Sequence, residues 1–192
     1  RRDAWTDEEA DEALDRAASA YEAWRKTTVE ERVALFRRMV DVMGSHAEDY
    51  GRRNAEEMGK PLAQAIGEIN LPQRIFSYYA DNGPRLLAPR MAEVAGSSRT
   101  YTQLESTGVT LAVEPWNVPA YQAMRAAAPT LMLGNTILMK PAGLTVNSSL
   151  LFEEWFREAG FPEGVFQTSL LTSAQISRFI ADERVGSVTF TG

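Results

Sequence analysis

The spacing of apolar residues changes along the chain, and this change separates a helical part from an alternating part. Before residue 90, apolar positions recur every three or four residues, which predicts amphipathic helices. The first helix starts after Thr6, which together with Glu9 has the sequence of a capping box. The other helices predicted here cover about 29–44 with Gly44 as the stop, 47–58, and 61–80 with a bend or break at Pro72.

From residue 99 onward the pattern is that of strands and crossovers. Residues 99–105 alternate in the manner of a partly exposed strand. After Gly108 the sequence predicts strands at 109–113, 136–139, 165–167 and 187–190, and helices at 119–133, 145–159 and 174–181. Alternation of strand and helix implies a parallel sheet with right-handed crossovers. The first and last of these strands are expected to be buried.

These patterns predict an α/β fold in three segments. Residues 1–90 form a helical layer, residues 91–107 a β arm at an edge or between subunits, and residues 108–192 a doubly wound, Rossmann-like sheet. Parallel sheets of this kind bind their ligands at the carboxyl ends of the strands.

Composition narrows the range of partners. The 26 acidic and 20 basic residues give a net charge of -6, which argues against nucleic acid as a partner. The sequence has no apolar stretch of membrane-spanning length and no recognisable leader, so we expect a cytoplasmic protein without a membrane contact. With no cysteine and with His46 as the only histidine, we expect no metal site and a solvated His46.

Polar residues follow three of the predicted strands. Asn117 lies just beyond the first strand and is flanked by Pro115 and Pro119, which restrict the backbone on either side of it. The alternative is a turn in which Asn117 bonds only to its own backbone. Lys140 ends the second strand, where it can bind a hydroxyl or a phosphate or can be a solvated turn residue. Thr191 follows the last strand.

Several motifs in matching order resemble the NAD(P)-dependent aldehyde dehydrogenase family, and they extend over essentially the whole chain. They are the segments 57–61 (Glu-Met-Gly-Lys-Pro), 114–119 (Glu-Pro-Trp-Asn-Val-Pro), 128–131, 134–136, 140–142 (Lys-Pro-Ala), 158–164 and 190–192 (Phe-Thr-Gly). The segments 164–168 and 171–173 are similar to the bacterial succinate-semialdehyde dehydrogenases. The resemblance implies that the helical layer and the sheet form the cofactor-binding domain.

The resemblance also implies a role for each strand-end residue. Asn117 is the expected catalytic residue, an amide that donates a hydrogen bond to the aldehyde oxygen as it gains charge. The residues expected at the cofactor are Val113, Pro115, Trp116, Asn117, Lys140, Pro141, Ala142, Gly143, Thr191 and Gly192. Those expected at the substrate are Val118, Tyr121 and Arg125.

Gly143 departs from the family pattern, in which a glutamate at this position holds the ribose hydroxyls. Since a carboxylate repels a 2′-phosphate, its absence favours NADP, with NAD as the alternative. Arg125 lies where succinate-semialdehyde dehydrogenases bind the distal carboxylate, and a guanidinium suits that anion. The alternative for Arg125 is a salt bridge on the helix surface or between domains.

Family members continue beyond the Phe-Thr-Gly motif to a glutamate base and a cysteine nucleophile. We therefore expect this chain to be an N-terminal portion, incomplete at its C-terminus and inactive alone, of a homo-oligomeric enzyme (dimer or tetramer) that oxidises a semialdehyde through a cysteine thiohemiacetal. The alternative is an inactive, truncated module that binds a nucleotide or a partner. An intact mass well above 21.3 kDa would favour the enzyme.

Overall fold

The computed structural model describes residues 3–192; residues 1 and 2 of the predicted helical layer lie outside them. The helices of the first half are α1 (Asp7–Trp24), α2 (Val29–Ser45), α3 (Ala47–Met58), α4 (Leu62–Gly67) and α5 (Asn70–Leu87). Two short strands follow, β1 (Arg90–Ala92) and β2 (Thr100–Thr102). The second half contains β3 (Val109–Val113), α6 (Pro119–Leu133), β4 (Thr136–Lys140), α7 (Val146–Glu158), β5 (Phe166–Thr168), α8 (Ser173–Ile180) and β6 (Val185–Phe190).

Strands β3 to β6 form the predicted parallel sheet. Within residues 3–192 their order is β5-β4-β3-β6, and each neighbouring pair is parallel. The chain first winds from β3 toward β5 and then returns to the other side of β3. The strand order therefore reverses between β3 and β6, which is where open α/β sheets form their ligand crevice. The predicted α/β class is confirmed.

The helices form layers on both faces of the sheet. One apolar cluster joins α1 and α8 to the sheet through Leu14, Leu111, Leu138 and Phe179. On the other face α6 and α7 pack on the strands, and α2, α3 and α5 pack behind them within a second cluster. The helical layer and the sheet thus share one continuous core on that face.

Aromatic side chains connect the outer helices to α7. The rings of Phe36 in α2 and Phe76 in α5 are 4.6 Å apart, and Phe76 lies 6.0 Å from Phe156 in α7. Each of these rings is at most 2% exposed. Burial of one such ring contributes about 2 kcal/mol, so this contact chain helps to attach the helical layer.

Two helix boundaries differ from the sequence prediction. Gly44 is the penultimate residue of α2, which ends one residue later than predicted, at Ser45. The predicted long helix is broken at Glu68 and Ile69, between α4 and α5. Pro72 does not cause the break, because it lies in the first turn of α5, where no backbone N–H is needed.

Two strand predictions also require correction. The strand expected at 99–105 is the shorter β2, which pairs with the unpredicted β1 in an exposed antiparallel hairpin. The expected burial of the last strand was wrong, because Val188 is 44% and Phe190 is 69% exposed. Within the described residues β6 has only β3 as a neighbour and is an edge strand.

A buried arginine joins α2 to the C-terminal end of α6. Arg32 is 4% exposed, and its guanidinium donates to the carbonyl oxygens of Met132 at 2.9 Å, Trp24 at 3.0 Å and Thr27 at 3.0 Å. Gly134 ends α6 with a φ of 102°, and a Cβ there would be 2.7 Å from the same guanidinium. Only glycine combines this left-handed backbone with room for the arginine.

We expect Arg32→Met to lower the free energy of unfolding by about 3 kcal/mol or more, because several buried carbonyl groups lose their donor. Chemical denaturation measures the change. Arg52→Met is the matched control, since the Arg52 side chain is 66% exposed, and its effect should stay within about 0.5 kcal/mol. Equal effects of the two substitutions would contradict the role given to Arg32.

Candidate active site

Three of the predicted strand ends lie along one edge of the sheet. The backbone N–H of Thr191 donates to the carbonyl oxygen of Val113 at 3.1 Å, so the β3–β6 ladder continues past the end of β6. The N–H of Glu114 donates to the carbonyl oxygen of Lys140 at 3.1 Å, which joins β3 to β4 in the same way. The residues expected at the cofactor therefore emerge side by side at the switch point and next to it.

The loop after β3 presents Asn117 at this edge. Pro119 occupies the first turn of α6, and Val118 is the N-cap with an extended φ of -145°. Asn117 is exposed, and Trp116 is 52% exposed. Pro115 is half-buried below them. The Asn117 amide is thus accessible to a ligand at this edge of the sheet.

Arg125 lies two turns into α6 and reaches the end of β6. Its Nη2 donates to Oγ1 of Thr191 at 2.7 Å, and its Nε donates to Oε1 of Gln122 at 3.2 Å. Arg125 is exposed, and within residues 3–192 no carboxylate oxygen lies within ion-pair distance of it. Tyr121, one turn earlier, is half-buried. The guanidinium is held by neutral acceptors, so its charge is available to an anion.

A second group of predicted residues lines a pocket at the ends of β4 and β5. The pocket has a volume of about 290 Å³ and includes Lys140, Pro141 and Gly143, with Ser169 and Leu171 opposite. Ala142 forms the turn, where its carbonyl oxygen accepts from the N–H of Thr145 at 3.1 Å. This pocket lies at β4 and β5, whereas Asn117, Arg125 and Thr191 lie at β3 and β6.

A Cβ built on Gly143 meets no atom within 4 Å. Unlike Gly134, this position can accept a larger side chain without a clash.

A larger cavity of about 640 Å³ between α7 and the chain that precedes β5 contains none of the predicted site residues.

Two carboxylates that the sequence analysis did not assign occupy helix N-termini beside the site. Glu57 accepts from the N–H groups of Asn147 at 2.7 Å and Ser148 at 2.9 Å, at the start of α7. Glu68 accepts from the N–H groups of Ala120 at 2.9 Å and Tyr121 at 3.4 Å, at the start of α6. Neither α6 nor α7 has an acidic residue in its first turn, so only long-range contacts supply these caps.

Glu114 is the most unusual group at this edge. It is 4% exposed, and both carboxyl oxygens are buried without a hydrogen-bond partner within the described part of the chain. Burial raises the pKa of Glu114 to about 7, and the nearby positive charge of Arg125 partly opposes this effect. In the sequence, the one signal for this buried carboxyl group is that a glutamate directly follows the hydrophobic strand.

His46 lies at the surface with 34% of its side chain exposed, and it makes two contacts that the sequence did not predict. Its Nε2 lies 2.7 Å from Oε2 of Glu158, and its ring packs beside Trp155. The imidazole therefore joins α3 to the end of α7.

Residues 3–192 contain no cluster of three or more acidic or histidine side chains that could hold a metal ion. None of the helices within that range has the length and apolar character that a bilayer crossing requires.

Comparisons with known proteins agree with these motifs. A model of the aldehyde dehydrogenase family matches residues 2–192. The chain is 37% identical to an NADP(+) succinate-semialdehyde dehydrogenase of Deinococcus radiodurans over 93% of its own length and 37% of that of the relative. It is also 37% identical to an aldehyde dehydrogenase of Paenarthrobacter nicotinovorans, with 99% and 42% coverage.

A solved structure of succinic semialdehyde dehydrogenase from Streptococcus pyogenes with NADP+ superposes with a TM-score of 0.93. The two sequences are 36% identical, and the match covers 98% of this chain and 41% of the other. The chain thus spans about two fifths of the length of the relatives that it matches.

We expect Glu114→Gln to remove a pH dependence of stability. The pKa of Glu114 is about 7 in the folded protein, against an ordinary value of 4.5, so the folded state binds this proton more tightly than the unfolded state. Glu114 therefore contributes most to the free energy of unfolding below pH 4.5. This contribution decreases by up to about 3 kcal/mol as the pH rises through about 7.

Urea denaturation at pH 5 and pH 8 tests this expectation. Relative to the wild type, Glu114→Gln should be more stable at pH 8 than it is at pH 5. Glu56→Gln, at an exposed position, is the control. A difference for Glu114→Gln that is the same at both pH values would rule out the raised pKa.

Proposed function

This chain belongs to the aldehyde dehydrogenase family, and we propose that it binds NADP and a carboxylate-bearing aldehyde such as succinate semialdehyde for oxidation to the acid. The observation that carries this proposal is the exposed cation of Arg125, which neutral acceptors hold at the reversal point of the sheet. A bidentate guanidinium is the group best suited to a carboxylate. The succinate-semialdehyde dehydrogenases among the relatives support the same substrate class.

Asn117 is proposed to stabilise the developing charge on the aldehyde oxygen. Its amide is exposed at the carboxyl edge of the sheet, and the loop between Pro115 and Pro119 restricts its backbone. A donor that is fixed before reaction needs no reorganisation as the oxygen becomes negative, which is why such groups lower the barrier. Arg125, with Tyr121 and Val118, is proposed to hold the far end of the substrate and so to orient its carbonyl group.

The cofactor is proposed to lie along the carboxyl edge of the sheet, with its adenosine ribose at the pocket of Lys140, Pro141 and Gly143. This pocket combines the cation of Lys140 with open space above Gly143, and Asp3 also belongs to its lining. When bound, the nicotinamide accepts a hydride. Lys140 is proposed to pair with a 2′-phosphate, which favours NADP; NAD stays the alternative. The residues proposed at the rest of the cofactor are Val113, Pro115, Trp116, Ala142, Thr191 and Gly192.

The nucleophile is the part of this reaction that the chain does not supply. It contains no cysteine, so a thiolate must come from outside these 192 residues. The 192 residues alone are therefore proposed to be inactive. The absence of cysteine from these 192 residues also fits a second candidate function, a module that binds NADP without turnover. A natural protein of 21.3 kDa that binds NADP would favour this module, and a larger mass would favour the enzyme.

The β1–β2 arm is proposed to contribute to a homo-oligomer. It exposes apolar side chains, among them Met91 at 64% and Tyr101 at 46%, followed by Leu104 at 59%. Exposed apolar surface of this kind marks interaction sites. The division of the chain at residues 90 and 107 and a cytoplasmic location stay predictions from the sequence.

We expect Arg125→Ala and Asn117→Ala to have different kinetic effects in the protein that contains this chain and its nucleophile. Without Arg125, the KM for succinate semialdehyde should rise by about 100-fold, because a charge-assisted bidentate contact is lost. The KM for an uncharged aldehyde of the same length should change little. Without Asn117, kcat should fall by about 100-fold for both aldehydes, because the lost contact forms only in the transition state.

Initial rates of NADPH formation with the two aldehydes measure both effects. An Arg125→Ala variant that affects the two aldehydes equally would refute the carboxylate site. An Asn117→Ala variant with unchanged kcat would refute the oxyanion role.

We expect Gly143→Glu to weaken NADP binding at least about tenfold and to leave NAD binding unchanged or stronger, because the new carboxylate repels only the 2′-phosphate. The glutamate has room, since a Cβ at residue 143 meets nothing within 4 Å. Calorimetric titration with both cofactors measures the change. Gly143→Gln is the control for bulk, and an equal effect of the two substitutions would show that charge does not decide the preference.

A further inference from the structure

The carboxylate of Glu68 lies at the N-terminus of the helix that follows Asn117. Glu68 is in the break between α4 and α5, and its side chain is 4% exposed. Oε1 accepts from the backbone N–H groups of Ala120 at 2.9 Å and Tyr121 at 3.4 Å. Because a negative charge at a helix N-terminus also offsets the helix dipole, Glu68 fixes the start of α6.

Lys60 connects this carboxylate to the loop that carries Asn117. Its Nζ is 2.5 Å from Oε2 of Glu68 and donates to the backbone carbonyl oxygen of Asn117 at 3.0 Å. The Lys60 side chain is 14% exposed, so water competes little for its donors. A single ammonium group therefore bridges the helical layer and the strand-end loop.

Two further side chains hold the carboxylate in place. The hydroxyl of Tyr50 donates to Oε1 of Glu68 at 2.8 Å, and Nδ2 of Asn54 lies 3.3 Å from Oε2. Tyr50 and Asn54 are both fully buried. Burial, together with the neighbouring negative charge of Glu68, raises the pKa of Tyr50, so its hydroxyl stays a donor. Glu68 thus has a fixed position from which Lys60 can act.

We propose that Lys60 is a positioning residue, which aims the Asn117 amide by holding its backbone carbonyl against the Glu68 anchor. The proposal rests on the oxyanion role given above to Asn117. The Asn117 side chain is exposed, so packing does not set its direction. Its direction follows from the backbone of the loop, and the carbonyl contact to Lys60 fixes the peptide unit between Asn117 and Val118.

Fixing this unit affects the reaction more than the fold. The carbonyl group of Asn117 lies in an exposed loop, where water can replace this one hydrogen bond at little cost to stability. The larger cost of losing Lys60 arises at the buried carboxylate of Glu68. The direction of a catalytic donor is less tolerant, because a displacement of about 1 Å can reduce a rate by about 100-fold.

The test uses the full-length protein that contains this chain. Lys60→Met should lower kcat for an aldehyde at least about tenfold while the dissociation constant for NADP changes less than about twofold. Lys60→Arg keeps a donor of similar reach and should recover most of kcat. Lys26→Met, at an exposed lysine, is the control and should leave kcat unchanged. Unchanged kcat in Lys60→Met would overturn the proposal.

A second variant separates positioning from stability, because Lys60→Met leaves the buried charge of Glu68 without its cation. In Lys60→Met with Glu68→Gln the charge is removed, and the glutamine oxygen can still accept from Ala120. If Lys60 only neutralises Glu68, the double variant should recover both kcat and the unfolding midpoint. If Lys60 positions Asn117, the midpoint should recover and kcat should stay low.

Hydrogen exchange distinguishes a failure of this proposal from a failure of the proposed function. A wild type that oxidises no aldehyde would refute the function. In that case faster amide exchange at residues 116–121 in Lys60→Met than in Lys26→Met would still support the contact as an anchor of the loop. Equal exchange in the two variants would overturn it.

Discussion

Two carboxylates from the helical layer fix the starts of α6 and α7, which connect strands of the sheet. Glu57 binds the first N–H groups of α7, and Glu68 binds those of α6. Helix starts leave amides unpaired, and neither α6 nor α7 satisfies them with a side chain of its own N-cap residue. Both caps come from the short segment between Glu57 and Glu68, which includes Gly59 and Lys60. This segment is therefore a structural part of the sheet edge. Because α6 and α7 follow the two central strands, these caps also set the loops that carry Asn117 and Lys140.

The same caps restrict where a phosphate can bind. Free amides at a helix N-terminus attract anions, but those of α6 and α7 are already bound to carboxylates, whose charge repels a phosphate. An anion at this edge must then use side-chain cations or the backbone after β6. Lys140, at the end of β4, and Arg125, in α6, are cations available for this, and they lie at separate places, one at the pocket beside β4 and β5 and one beside the ends of β3 and β6. The proposed division between a cofactor end and a reacting end agrees with this separation.

The sequence predicted those features of the fold that depend on residues close together in the chain. The capping box of Thr6 and Glu9 and the proline at residue 119 predicted the starts of α1 and α6, because both are local backbone effects. Groups that act across the fold had no local pattern. The cap formed by Glu68 joins residues more than 50 positions apart, and no periodicity records it. The exposure of Phe190 was mispredicted for a related reason, since an apolar strand is buried only if an element covers it.

Glu114 and Arg125 show how the charge of the candidate site depends on a proton. A buried carboxyl group without a partner is costly in a folded protein, and such groups persist mainly at functional sites. Near neutral pH the proton on Glu114 is partly lost, because its pKa is about 7. The negative charge that forms when Glu114 loses this proton offsets part of the positive potential of Arg125. The positive potential at Arg125, on which the proposed carboxylate site depends, is therefore modulated by Glu114 as well.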